Sequence, residues 1–206
     1  MRLLAASAIS VLLVTAGAAY ADCVTEFTEA NKTKLEAGPY RLIMRNQTTN
    51  EVGGKKYAGK PTSQTYEFAP PDAVHLNDKS PLGDTEAIYM GKTGWTKEKG
   101  DWKSVPAAEM STLIERGLYG TYFNAPKPNS LVCHGVSVNS GLRVRSYSYA
   151  IPVEDIVPRE LAITAYFSAD SGLPLAAVVE TMVVKTFHRT EMAVEFDRAI
   201  KIQRPN

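Results

Sequence analysis

Turn-forming residues punctuate this chain at short, even intervals, and that spacing leaves room for many strands and few helices. After Gly38-Pro39 an extended segment at 40–47 alternates, with Tyr40, Leu42 and Met44 on one face and Arg41, Ile43 and Arg45 on the other. A hairpin turn is expected at 50–54. Short strands are predicted at 55–59, 64–68, 73–77, 86–90, 94–97 and 102–105, separated by Pro70-Pro71-Asp72 and by turns at 79–84 and 99–101. Strands resume at 131–138, 142–150, 161–167, 175–184, 185–190 and 192–202. The turn at 168–172 ends on Gly172, which supplies the positive φ such turns need.

Two segments read as helices. The first, at 26–37, carries a weak stripe of Phe27, Ala30, Lys34 and Leu35 and stops at Gly38-Pro39. The second, at 107–119, follows Pro106, which suits a first helical position. Its Met110, Leu113, Ile114 and Leu118 share one side, and Gly117 and Gly120 mark its end. The fold class is therefore α+β, an antiparallel sheet of about ten strands with two helices. A sheet of that size must twist and curl, and a helix covers the apolar face it exposes. A curled sheet with a helical lid is a container.

The N-terminus reads as a secretory signal peptide, residues 1–21. Arg2 precedes an apolar run from Leu3 to Ala19, and Ala19-Tyr20-Ala21 forms an A-x-A site with cleavage before Asp22. A membrane anchor is the competing reading, but the run is Ala-rich and about the minimum that spans a bilayer. Lipidation at Cys23 calls for a small residue before the cysteine, where Asp22 stands. Cleavage of the 206-residue chain would leave 185, one domain at 22–206 with a single core. Without Arg2 the 23 Lys and Arg become 22, equal to the 22 Asp and Glu, and no basic stripe points to nucleic acid. The expected location is the periplasm or the exterior. An even cysteine count in an exported chain favours a Cys23–Cys133 disulfide over two free thiols.

Reactive constellations are few. His75, His134 and His188 show no metal-ligand spacing. Cys133 and His134 are strand neighbours and point to opposite faces, which argues against a cysteine nucleophile with a histidine base. The run 54–61 resembles a phosphate loop but has Pro61 where Ser or Thr must hold Mg²⁺, and it reads as a hairpin. No G-x-S-x-G occurs. No catalytic residue, cofactor or metal is expected, and the chain reads as a binding protein and not an enzyme. Trp95 and Trp102 flank the turn at 99–101, and Tyr147 and Tyr149 share a strand face. Each is either ordinary packing or the lining of an apolar pocket. Met44, Met90, Met110, Met182 and Met192 add flexible, polarizable surface suited to irregular hydrophobic ligands.

The order of elements resembles the LolA-like group of bacterial envelope proteins, which includes the periplasmic lipoprotein carrier and mycobacterial lipid-binding lipoproteins. An exported chain begins with a helix, and the strand 38–44 follows. Short strands end in Ala87-Ile88-Tyr89-Met90-Gly91-Lys92-Thr93-Gly94-Trp95-Thr96-Lys97, and a lid helix comes after Trp102-Lys103-Ser104-Val105-Pro106. Late in the chain Ser171-Gly172-Leu173-Pro174 matches the group's Gly-Leu-Pro hairpin. The resemblance covers most of the mature chain. It implies a curled antiparallel half-barrel with helices over its concave face, holding a lipid or the acyl chain of a lipoprotein. Arg41 and Arg45 both stand near the strand where the group carries a lid-locking arginine. Asp22 departs from the lipidated members, so a soluble carrier is expected. The lining expected for such a cavity is Met90, Trp95, Trp102, Met110, Leu113, Ile114 and Leu118. The alternative is an envelope protein–protein interaction module without a small ligand, using sheet edges or the lid surface.

Overall fold

The computed structural model describes residues 14–31, 38–81, 83–106, 123, 128–154 and 159–205. One helix, α1 (Val14–Asn31), precedes twelve strands. These are β1 (Tyr40–Val52), β2 (Lys55–Ala58), β3 (Thr62–Ala69), β4 (Ala73–Ser80), β5 (Gly83–Met90), β6 (Thr93–Glu98) and β7 (Asp101–Pro106), then β8 (Asn129–Asn139), β9 (Leu142–Val153), β10 (Arg159–Ser168), β11 (Pro174–Val183) and β12 (Thr186–Phe196). All join one antiparallel sheet in the order β7-β6-β5-β4-β3-β1-β12-β11-β10-β9-β8, with β2 paired to β1. The sheet is open, and β7 and β8 are its edges.

The expected fold class holds in its antiparallel sheet, with twelve strands where about ten were expected. The segments at 185–190 and 192–202 form one strand, β12, that ends at Phe196. Glu191 does not break it, because alternation turns that side chain to the polar face, where Arg189 meets it at 3.1 Å. Helix α1 starts earlier than the predicted 26–37, since the helical turns continue back through the alanine-rich segment that precedes Asp22, and alanine is the best helix former. The predicted helix at 107–119 lies outside the described residues; among those described, α1 packs Phe27 against one face of the sheet.

Strand β1 sits at the centre. Residues Tyr40 to Asn46 pair β3 on one side and β12 on the other, and Thr49 to Val52 pair β2. The register fixes which side chains share a face. Tyr40, Phe68, Val74 and Tyr89 form one row across β1, β3, β4 and β5, and Leu42, Tyr66, Leu76 and Ala87 form the next. In the other half, Met44, Met192, Ala177, Ala165 and Tyr147 form a row, followed by Thr190, Val179, Ile163 and Tyr149. The apolar rows are displaced by two rungs between the halves, so the buried band crosses the sheet diagonally, in keeping with a strongly twisted sheet. At Gly94, opposite Tyr89, a Cβ would lie 2.5 Å from the tyrosine ring, so glycine is required for that ring to lie flat.

The Cys23–Cys133 disulfide joins α1 to the edge strand β8, with Cα atoms 5.8 Å apart across 110 residues of sequence. Cys23, Phe27 and Ala30 share one helical face, at i, i+4 and i+7, and pack against the core.

The opposite face is polar. A chain of charges crosses it: Arg41 donates to Glu67 Oε1 (2.7 Å) and Glu195 Oε2 (3.3 Å). His75 lies between Glu67 (3.3 Å) and Glu86 (3.1 Å), and Lys97 donates to Glu86 at 2.8 Å. Partial burial pushes the Glu67 carboxyl up, but the hydrogen bonds and charges of Arg41 and His75 outweigh it and hold the group below its ordinary value. Lys97 foremost, with His75, does the same to Glu86 against a weaker burial effect.

Replacing both cysteines by serine is expected to destabilise the protein by about 2–5 kcal/mol, read from urea midpoints, since a long loop is released. The two depressed carboxyls give a second expectation. The unfolded chain takes up their protons near pH 4.5 and the folded chain only at lower pH, so their contribution is complete above 4.5 and declines as pH falls below it. Denaturation midpoints measured on either side of that pH should fall more steeply for the wild type than for the Glu67→Gln, Glu86→Gln double variant.

Candidate functional site

The covered face of the sheet is the candidate site, and it is built mainly from rings. On β9 and β10, Tyr147 and Phe167 meet edge to face at 5.7 Å. Phe27 of α1 lies edge-on to Tyr147 at 5.3 Å and to Tyr149 at 4.9 Å. Phe123 meets Phe167 at 5.9 Å. A second group surrounds Tyr40, stacked on Phe68 at 4.6 Å and 5.7 Å from Phe196. Such contacts are worth about 0.5–1.5 kcal/mol each beyond the area they bury.

Between the groups lie Leu42, Met44, Met192, Val194, Ala165 and Ala177, all shut off from water. Ala165 and Ala177 are cross-strand partners, so the floor between the ring groups is low there. Among the described residues no polar or charged residue is fully buried, and no group of three metal-ligating side chains occurs.

Phe123 carries a topological consequence. Strands β7 and β8 are consecutive in sequence and stand at opposite edges of the sheet, so residues 107–128 connect the two edges. Phe123 belongs to that connection and packs on Phe167, a covered-face residue, so the connection reaches the covered face there.

Polar atoms border the band. The Tyr147 side chain has no exposure to water, and its hydroxyl lies near the Arg145 guanidinium without a well-aligned hydrogen bond. Burial raises its pKa against the pull of the Arg145 guanidinium. Arg145 Nε is also buried without a hydrogen bond, 3.9 Å from Glu26 Oε2 on α1. At the diagonally opposite corner Gln64 donates to Asp78 at 3.0 Å, and Asp78 Oδ1 is buried and unpaired. Burial also raises the phenols of Tyr40 and Tyr149, which remain neutral at any physiological pH.

The expected lining divides. Met90, Trp95 and Trp102 stand on the polar face, because Tyr89, Ala87 and Gly94 take the covered one in strict alternation. Both tryptophans carry a cation: Arg204 of the C-terminal tail lies 5.4 Å from the Trp95 ring, and Lys97 lies 5.4 Å from Trp102. Met110, Leu113, Ile114 and Leu118 lie outside the described residues. Of the methionines, Met44 and Met192 are cross-strand partners on the covered face, whereas Met182 is exposed. Arg41 and Arg45 both point to the polar face, so neither reaches the covered face, and Arg145 does. The sequence reading missed Phe123, Phe167 and Arg145. Phe167 sits at i and i+2 phase with Ala165 and Ile163, a signal that was present in the alternation of β10. Cys133 and His134 diverge as expected, the cysteine bonding to Cys23 and His134 Nε2 lying 2.8 Å from Ser148 Oγ on the polar face.

No family model matches the sequence, and no curated protein matches it. The fold is similar to that of LprF from Mycobacterium bovis, with a TM-score of 0.59 over 90% of this chain and 97% of that one, at 16% identity. The Mycobacterium tuberculosis lipoprotein LppX aligns over 85% of this chain and 94% of its own at a TM-score of 0.48 and 13% identity. The LolA superfamily protein NE2245 from Nitrosomonas europaea aligns over 85% and 93% at 0.39 and 6%. Scores below 0.5 carry no weight here. The chain shares the fold of LprF, and at that identity the likeness speaks to the fold alone.

Because the Tyr147 hydroxyl is buried without a well-aligned hydrogen bond, Tyr147→Phe is expected to leave stability unchanged or raise it by up to about 1 kcal/mol. A denaturation midpoint lowered by more than that amount would show the hydroxyl to be hydrogen-bonded in the folded protein.

Proposed function

We propose that this chain is exported to the bacterial envelope, loses residues 1–21, and holds a lipid or the acyl chain of a lipoprotein on the covered face of its sheet. It acts as a binding or carrier protein and not as an enzyme. The observation that carries this reading is the diagonal band of aromatic and aliphatic side chains, which runs across the sheet with no fully buried polar residue among those described. Hydrocarbon needs no reactive group to be held, since each methylene removed from water contributes about 0.8 kcal/mol. Cleavage after Ala21 keeps Cys23, Phe27 and Ala30, the face of α1 that packs on the core. The Arg145 and Tyr147 donors at the margin of the band suit the oxygen atoms of a lipid head.

A second reading, an interaction module for an envelope protein, draws on β8. This edge strand exposes Val132, Val136 and Val138, and such an edge accepts an added strand from a partner.

The test is to express the full chain with its leader, purify the exported protein without detergent, and examine it by native mass spectrometry and solvent extraction. Acyl-containing species, together with saturable binding of a fluorescent fatty acid, are expected. Empty protein with no probe binding overturns the carrier reading, and a stoichiometric protein partner recovered from envelope extract then favours the second.

A further inference from the structure

Two hairpins project side by side from the centre of the sheet. The β1–β2 hairpin turns at Gly53 and Gly54, and the β11–β12 hairpin turns at Val184 and Lys185. They are tied together: Glu51 N donates to Lys185 O at 3.0 Å, and Thr186 Oγ1 donates to Asn50 Oδ1 at 2.9 Å. The pair therefore presents one composite tip.

That tip is apolar where the folded chain gains nothing from it. Val52, Tyr57 and Met182 are more than half exposed, and Val184 is 81% exposed. Val184 also sits in the left-handed region at φ +57°, a costly conformation for a β-branched residue. The adjacent hairpin takes the same backbone region with Gly53 and Gly54, at φ +58° and +76°, which adopt it without strain. Neither exposure nor backbone preference explains a valine at this position, and an external apolar contact does. The register places Tyr57 on one side of the ribbon and Met182 on the other, so the apolar element is the tip itself and not one flat face.

Lysines flank the tip. Lys55, Lys56 and Lys185 are all exposed. Beside the tip a recess of about 360 Å³ is lined by Thr49, Glu51, Lys56, Met182, Lys185 and Phe187, two ammonium groups against one carboxylate. An apolar point with a cationic collar matches a bilayer interface, where acyl chains take the point and head-group phosphates take the collar.

We propose that the paired tips of the β1–β2 and β11–β12 hairpins dock this protein on an anionic phospholipid surface. The inference is independent of the cargo reading, because the tips lie outside the covered face.

Flotation of the purified exported protein with phosphatidylcholine vesicles, with and without phosphatidylglycerol, tests it at low and high salt. Binding is expected with phosphatidylglycerol and should weaken with salt. Val184→Asn suits the left-handed backbone, so its melting temperature should hold or rise while partition falls about tenfold. Lys56→Gln and Lys185→Gln should each weaken partition about fivefold. No flotation with the anionic vesicles overturns the proposal, as does equal flotation without phosphatidylglycerol or partition untouched by Val184→Asn. Self-association in solution that Val184→Asn abolishes, without vesicle binding, would assign the tip to a second copy of the chain and overturns it equally.

Discussion

An open sheet cannot bury itself. It has two faces, and this one carries most of its buried apolar side chains on one of them, along a diagonal band from Tyr89 to Tyr149, with Ile88 and Trp95 buried on the other. Covering that band organises the rest of the chain. Helix α1 brings Phe27 onto the β9–β10 end of the band, and the disulfide from Cys23 to Cys133 fixes the helix to the edge strand beneath it. The connection between the two edge strands brings Phe123 to the same place. Cover and floor are therefore far apart in sequence and held together by packing and one covalent bond.

The polar face solves the complementary problem. It must satisfy charges without closing, and it does so by passing them from strand to strand, from Glu195 through Arg41, Glu67, His75 and Glu86 to Lys97 and the Trp102 ring. Exposed ion pairs contribute little energy singly, but each spans neighbouring or near-neighbouring strands and favours one register over a slipped one. A single-residue slip would carry these charges into the apolar band. A cation lies over each tryptophan ring, an interaction that draws on the ring's polar character and not on its grease.

A site made of hydrocarbon is hard to find by motif. Of the reactive groups a sequence search would seek, His75 and His134 are on the polar face and the cysteines are tied up, whereas His188 stands on the covered side opposite Thr48, two rungs beyond Met192. What remains on the covered face is apolar bulk with a few unpaired polar atoms at its border, at Tyr147, Arg145 and Asp78. Specificity there would come from shape and from those border donors and acceptors, with binding energy supplied by area.

The sequence by itself determined the local elements. Period-two alternation marked the strands, glycine and proline placed the turns, and an even cysteine count, in a sequence that reads as exported, pointed to the bridge that forms. The order of elements carried the fold that LprF shares. Only the tertiary structure decided which face is covered. Alternation states that Trp95 cannot share a face with its neighbour Gly94, but it does not say which of the two lies over the band, and β5 carries apolar residues on both sides: Ala87 and Tyr89 on one, Ile88 and Met90 on the other. For β5 the choice was made by the β1–β3, β3–β4 and β4–β5 pairings, which set Tyr89 and Ala87 in phase with Tyr40 and Leu42. The physical reason is that burial belongs to the assembled sheet and its cover, and no single strand contains it.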